Sequence, residues 1–156
     1  MSTNAANPVQ ASSDREIITT RVFDVPRERL FRAWTDPEQL AQWWGPKGFT
    51  NTFQEFDLRL GGSWRFVMRG PNGVEHPNEN VFVEIVEPER LVLHHLGPVH
   101  EFLATFLFED LGGRTRLVWS MLFASAEEYE KMKSFVPTAN EQNLDRLEAV
   151  LAQDGG

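Results

Sequence analysis

From Thr52 to Phe123 the sequence keeps a hydrophobic period of two, and this alternation restricts the possible folds more than any other feature. Phe56 and Leu58 alternate with Glu55, Asp57 and Arg59 before Gly61-Gly62. Trp64, Phe66 and Met68 then alternate with Arg65 and Arg69 before Gly70-Pro71-Asn72-Gly73. Residues 80–86 read as a strand ended by Glu87-Pro88, and residues 91–96 as another. Residues 102–108 and 115–123 make a last hairpin through Asp110-Leu111-Gly112-Gly113. Upstream, residues 16–25 are rich in β-branched side chains and read as a first strand. Short strands joined by tight turns predict an antiparallel meander. About six such strands plus the first are enough for a sheet to curl.

Helical signals flank the meander on both sides. Pro26 suits a first helical turn, with Leu30, Phe31 and Trp34 as the buried face. Asp36 followed by Pro37 starts a second short helix, whose apolar residues are Leu40, Trp43 and Trp44 and which Gly45-Pro46 ends. After the last strand, Ser125 with Glu128 forms a capping box for a helix carrying Tyr129, Met132 and Phe135 towards the core. Pro137 is expected to interrupt it. Thr138 with Glu141 is a further capping box, and Leu144, Leu147, Val150 and Leu151 recur as one apolar stripe. An amphipathic helix that closes a mostly β chain must lay its stripe on the sheet. The expected class is therefore α+β: a curled antiparallel sheet of six to seven strands, in β-α-α-β-α order, around a long C-terminal helix. Residues 1–15 are expected to be a flexible tail and residues 16–153 one domain.

Composition narrows the function. The formal net charge is −8 and the basic residues are scattered, which argues against a nucleic-acid partner. The absence of cysteine excludes disulfides, thiolate catalysis and cysteine metal sites. No run is long enough to insert in a bilayer, and the polar start lacks a signal-peptide core, so a cytoplasmic location is expected. Twelve Phe and five Trp against a single Tyr either fill a large core or line a cavity for apolar ligands.

Several motifs, in order, resemble one family. They are Val25-Pro26 through Trp43-Trp44-Gly45-Pro46, Gly61-Gly62-Ser63-Trp64-Arg65-Phe66, Met68-Arg69-Gly70-Pro71-Asn72-Gly73, Glu84-Ile85-Val86-Glu87-Pro88-Glu89-Arg90-Leu91, and Gly113-Arg114-Thr115-Arg116-Leu117. Over residues 16–152 the chain is similar to the stand-alone bacterial proteins of the activator-of-heat-shock-protein-90-ATPase C-terminal-domain-like family. That family belongs to the START, or SRPBCC, superfamily, which includes the birch pollen allergen. The resemblance implies a helix-grip fold with a cavity between sheet and C-terminal helix, used for apolar molecules. It also implies two alternatives: an enzyme of the cyclase or hydrolase type, and a chaperone-associated module. Sheet edges and exposed aromatics leave a homodimer open.

The expected ligand-binding wall consists of Trp64, Phe66 and Met68 on one strand and Phe82 on the next, with Glu84 placed on the same face as Phe82. Phe106, Phe108 and Trp119 follow on later strands, with Trp43 beside the sheet and Met132, Phe135, Leu144 and Leu147 from the helices. The competing arrangement interlocks the same residues into a solid core. Trp43 and Trp44 either gate the opening or anchor their helix to the sheet edge. Glu84 and His94 are the weak candidates for acid–base catalysis. Glu84, if it points inward, is a desolvated carboxylate, and if outward, the placement slightly favoured, a solvated strand residue; His94 would be a polar group within the cavity. His94 and His95 are consecutive in a strand and cannot both bind one ion, and neither a metal nor another cofactor is expected. The nucleophile elbow, the Walker loop and the dinucleotide glycine fingerprint are all missing from the sequence.

Overall fold

The computed structural model describes residues 14–97 and 100–153. Most of the tail expected over residues 1–15 therefore lies outside the described residues. Arg15 is tied to the sheet, its carbonyl accepting from the Phe123 N–H at 2.9 Å. The elements are β1 (Glu16–Phe23), α1 (Arg27–Thr35), α2 (Pro37–Trp43), β2 (Thr50–Phe56), β3 (Ser63–Arg69), β4 (Glu75–Val86), β5 (Arg90–Gly97), β6 (Phe102–Asp110), β7 (Thr115–Phe123), α3 (Ala126–Met132) and α4 (Val136–Gln153). The seven strands form one antiparallel sheet in the order β1-β7-β6-β5-β4-β3-β2. The sheet is curled and unclosed, and α4 lies against β1 and α2. This is the helix-grip architecture that the alternation and the terminal stripe predict.

Local chemistry explains the element boundaries. Asp36 serves two helices at once. Its backbone N–H closes α1 on the Arg32 carbonyl at 2.9 Å, and its carboxylate accepts from Glu38 N–H at 3.1 Å to open α2. β2 ends at Phe56, so Leu58 lies outside the strand expected for it and is exposed. The chain turns there through Gly62, where an added Cβ would fall 2.1 Å from the Asp57 carbonyl oxygen. Only glycine fits that approach.

The capping box expected at Thr138 and Glu141 does not form, because α4 already begins at Val136. Pro137 sits in the first turn, where a missing N–H costs no intrahelical bond, so proline opens this helix. The break falls earlier, over residues 133–135, and it turns Phe135 out to 52% exposure instead of towards the core. Glu141 joins Asp145 and Glu148 on the outer face of α4 around Arg21 of β1, at 2.6, 3.0 and 3.3 Å. Burial works to lower the Arg21 pKa, but its hydrogen bonds to Glu141 and Asp145 and the charge of Glu148 outweigh it, and the net direction is up. Leu144, Leu147, Val150 and Leu151 bury the opposite face.

Candidate functional site

Which side chains point inward follows from strand register. In β5, Leu91 and Leu93 enter the core, so His95 faces inward with them and His94 faces out. His94 is therefore not the cavity histidine. Its Nε2 lies 2.7 Å from Glu101 on the outer face. For Glu84 the outward alternative holds, for a related reason. Register shifts between Phe82 and Glu84, where Val83 is the extra residue, half exposed. This β-bulge breaks the alternation, placing Phe82 inward opposite Leu93 and Glu84 outward opposite Val92. Glu84 is 45% exposed and lies 3.8 Å from Arg90, so it is no desolvated acid.

Between the inward sheet face and the helices lies a partly open cavity of about 250 Å³. Five of the residues expected to bind ligand line it: Phe66 and Met68 of β3, Phe106 of β6, Trp119 of β7 and Met132 of α3. The other seven lie elsewhere. Trp43, Trp64, Phe82, Phe108, Leu144 and Leu147 pack in the core at 2% exposure or less, and Phe135 is turned to solvent. The two adjacent tryptophans divide their roles: Trp44 lines the cavity, while Trp43 is buried and donates its Nε1–H to the Ala33 carbonyl at 3.1 Å. Trp43 is an anchor. Solid core and hollow therefore coexist, the core around Trp34, Trp43 and Phe108 and the hollow beside it.

Much of the rest of the wall is small or polar, so apolar patterning does not reveal it. Ala104 and Ala139 leave space, and Leu93, Phe102 and Met121 continue the apolar surface. Asn78 and Asn80 of β4, His95 of β5, His100, and Asn140 and Asn143 of α4 supply the polar lining. The signal for three of them was position. Asn80 is two residues before inward-facing Phe82, and Asn140 and Asn143 extend the stripe that Leu144 and Leu147 begin. Asn80 donates to the Trp64 carbonyl at 3.3 Å, and Asn140 donates to Thr19 Oγ1 at 3.1 Å. Among the described residues, Nδ1 of His95 and Nε1 of Trp119 are buried without a hydrogen-bond partner. Burial, followed by the nearby His100 and His94, lowers the His95 pKa to about 4. The imidazole is therefore neutral at pH 7. His100 lies with Nδ1 2.7 Å from Oε1 of Glu128 in α3. Among the described residues, no group of three or more His, Cys, Asp or Glu could hold a metal ion.

The wall opposite the sheet is fastened by α4. Arg146 donates to the carbonyls of Gln42, Trp44, Gly45 and Pro46 at 3.1, 3.3, 2.9 and 3.0 Å. Burial lowers its pKa, yet a guanidinium stays charged, and four carbonyl dipoles take the place of a counter-ion. Asn143 Oδ1 accepts from Gly45 N–H at 3.2 Å, and Gln142 Oε1 accepts from Lys47 N–H at 3.3 Å. Trp44, Gly45 and Pro46, all on the cavity wall, are thus held by one face of the helix.

A curled sheet gripping a terminal helix around such a hollow defines a protein of the START, or SRPBCC, type. The profile of the activator of Hsp90 ATPase homolog 1-like proteins matches residues 24–152, and the chain belongs to that family. A protein from Arthrobacter aurescens shares the fold with a TM-score of 0.85 at 24% identity, over 96% of this chain and 93% of its own. One from Rhodobacter sphaeroides has a TM-score of 0.84 at 25% identity, over 94% of this chain and 98% of its own. The AHSA1 protein from Silicibacter pomeroyi has a TM-score of 0.70 at 23% identity, over 89% and 99% respectively. No curated protein matches the chain. Among the described residues, no helix is long and apolar enough to cross a membrane.

Proposed function

We propose that this protein binds a small apolar or amphipathic molecule between the sheet and the C-terminal helix, as a carrier or sensor. The observation that carries this reading is the hollow itself, about 250 Å³, walled by the rings of Trp44, Phe66, Phe106 and Trp119. The volume lies just below the range of roughly 300–1,000 Å³ common for ligand pockets, which points to a compact guest. Uptake is tested with prodan, an uncharged dye whose emission shifts to the blue in apolar surroundings. The wild-type protein is expected to shift it. Ala104→Phe, which builds a ring into the hollow from a residue only 2% exposed, is expected to abolish the shift. A wild-type protein that leaves the dye unshifted would sink the reading. So would an Ala104→Phe variant that folds and still binds, since the dye would then sit elsewhere.

A second reading, acid–base catalysis in the same hollow, rests on the His100–Glu128 pair. Glu128 orients the Nδ1 side of the ring, which frees Nε2 as a base, and His100 lines the cavity. The probe is 5-nitrobenzisoxazole, which opens when a base removes its ring C–H proton. His100→Gln should slow its opening about a hundredfold or more, the lower end of the 10²–10⁴ range of positioned bases. His94→Gln on the outer face should leave the rate unchanged. Equal rates in wild type and His100→Gln would remove the catalytic assignment. Association with a chaperone rests on the family's name alone.

A further inference from the structure

Two cavity asparagines are oriented by backbone groups that allow no other arrangement. The Gly45 N–H can only donate, so it fixes Oδ1 of Asn143 on itself and leaves the Asn143 Nδ2 without a protein partner among the described residues. The Trp64 carbonyl can only accept, so it fixes Nδ2 of Asn80 and leaves the Asn80 Oδ1 likewise without one. Both residues line the hollow and are otherwise buried, at 4% exposure each. These two residues therefore contribute one spare donor and one spare acceptor whose polarity is set by the fold, beside the unpartnered His95 Nδ1 and Trp119 Nε1–H of the same wall. Buried polar groups of this kind require a partner, and a guest or water must supply it.

The same wall has no carboxylate, lysine or arginine side chain, and its two titratable residues are His95 and His100. His100 already has the Glu128 carboxylate at 2.7 Å, so any positive charge there is compensated. An anionic guest would enter without a counter-charge, and its carboxylate, an acceptor only, would face the Asn80 oxygen. A cation would lose its hydration with no carboxylate in the wall to replace it. A pure hydrocarbon would leave both asparagines unpaired.

We infer that the cavity selects an uncharged molecule with a group that both donates and accepts hydrogen bonds, a phenol or alcohol on a compact apolar frame, read by Asn80 and Asn143. This deepens the binding function proposed above and rests on it. The same chemistry disfavours fatty acids and other carboxylates, whose charge no Lys or Arg in the wall offsets.

The test compares three guests of one shape by calorimetry at pH 7: 2-naphthol, naphthalene and 2-naphthoate. 2-Naphthol is expected to bind about tenfold more tightly than either of the others. Asn143→Asp keeps the oxygen that accepts from Gly45 and replaces the spare donor with an acceptor. It should cut the advantage of 2-naphthol over naphthalene by about threefold or more. Naphthoate binding as tightly as naphthol would overturn the selection for neutral guests. Equal affinities for naphthol and naphthalene would overturn the hydrogen-bonding role. Either result, with prodan still bound, leaves the cavity reading standing; if neither prodan nor any of the three binds, both fall together. Should Asn143→Asp not fold, the three-guest comparison on the wild-type protein decides alone.

Discussion

Trp43→Ala is expected to destabilise the protein by about 3–5 kcal/mol, as large-to-small changes of buried tryptophan do. Trp43 is fully buried, and its ring centroid lies 4.6 Å from that of Trp34 and 5.5 Å from that of Trp44, both edge-on. Truncation removes both contacts and also strands the Ala33 carbonyl, which accepts from the indole N–H. Trp34 in turn contacts Phe106 and Phe108, so the vacancy would open beneath the whole aromatic cluster rather than at its rim. Urea unfolding measures the loss. A cost under about 1 kcal/mol would show that the site collapses freely or that the ring is not packed as described. Prodan affinity of a milder Trp43→Phe variant should match the wild type, because the residue is an anchor and not part of the cavity wall.

Acid should weaken the fold through His95. In the unfolded chain this group titrates near its ordinary value of 6.5, whereas burial, helped by His100 and His94, holds it at about 4 in the folded state. Above pH 6.5 neither state binds the proton and His95 imposes no penalty. As pH falls below 6.5 the unfolded chain takes up a proton that the folded chain refuses, so stability drops until about pH 4, where both are protonated. The full difference is worth about 3 kcal/mol. Urea titrations at pH 7.5 and 4.5 on wild type and His95→Gln isolate this contribution from the carboxylates, which the two proteins share. The variant should lose less stability on acidification by about 2–3 kcal/mol. Parallel losses in both proteins would mean that the imidazole is hydrated and titrates normally.

The architecture was legible in the sequence because its determinants are local. Alternation set the strands, paired glycines the turns, and Asp36-Pro37 and Ser125 the helix starts. The site was legible only in part. Phe66, Met68, Phe106, Trp119 and Met132 belonged to strong apolar patterns and do line the hollow. Alternation alone cannot separate a residue on the cavity wall from one in the packed core, and this is why Trp64, Phe82 and Phe108 were grouped with them. His94 was misplaced, and Glu84 left undecided between the two faces, for sharper reasons. A single inserted residue, Val83, moves Glu84 to the other face, and consecutive histidines differ only in which one follows Leu93 in phase. Asn80, Asn140 and Asn143 were overlooked because polar residues at core-phase positions look like exceptions, though they equip the cavity.

The bracket that Arg146 throws around the Gln42–Pro46 carbonyls makes α4 both a wall of the hollow and the fastener of the loop across from it. Redesigners wishing to admit bulkier guests therefore face unequal choices. Shaving residues from the helix would loosen the facing loop along with the wall. Trimming Phe66 or Phe106, which stand on paired strands, would widen the chamber while its fastening stays intact.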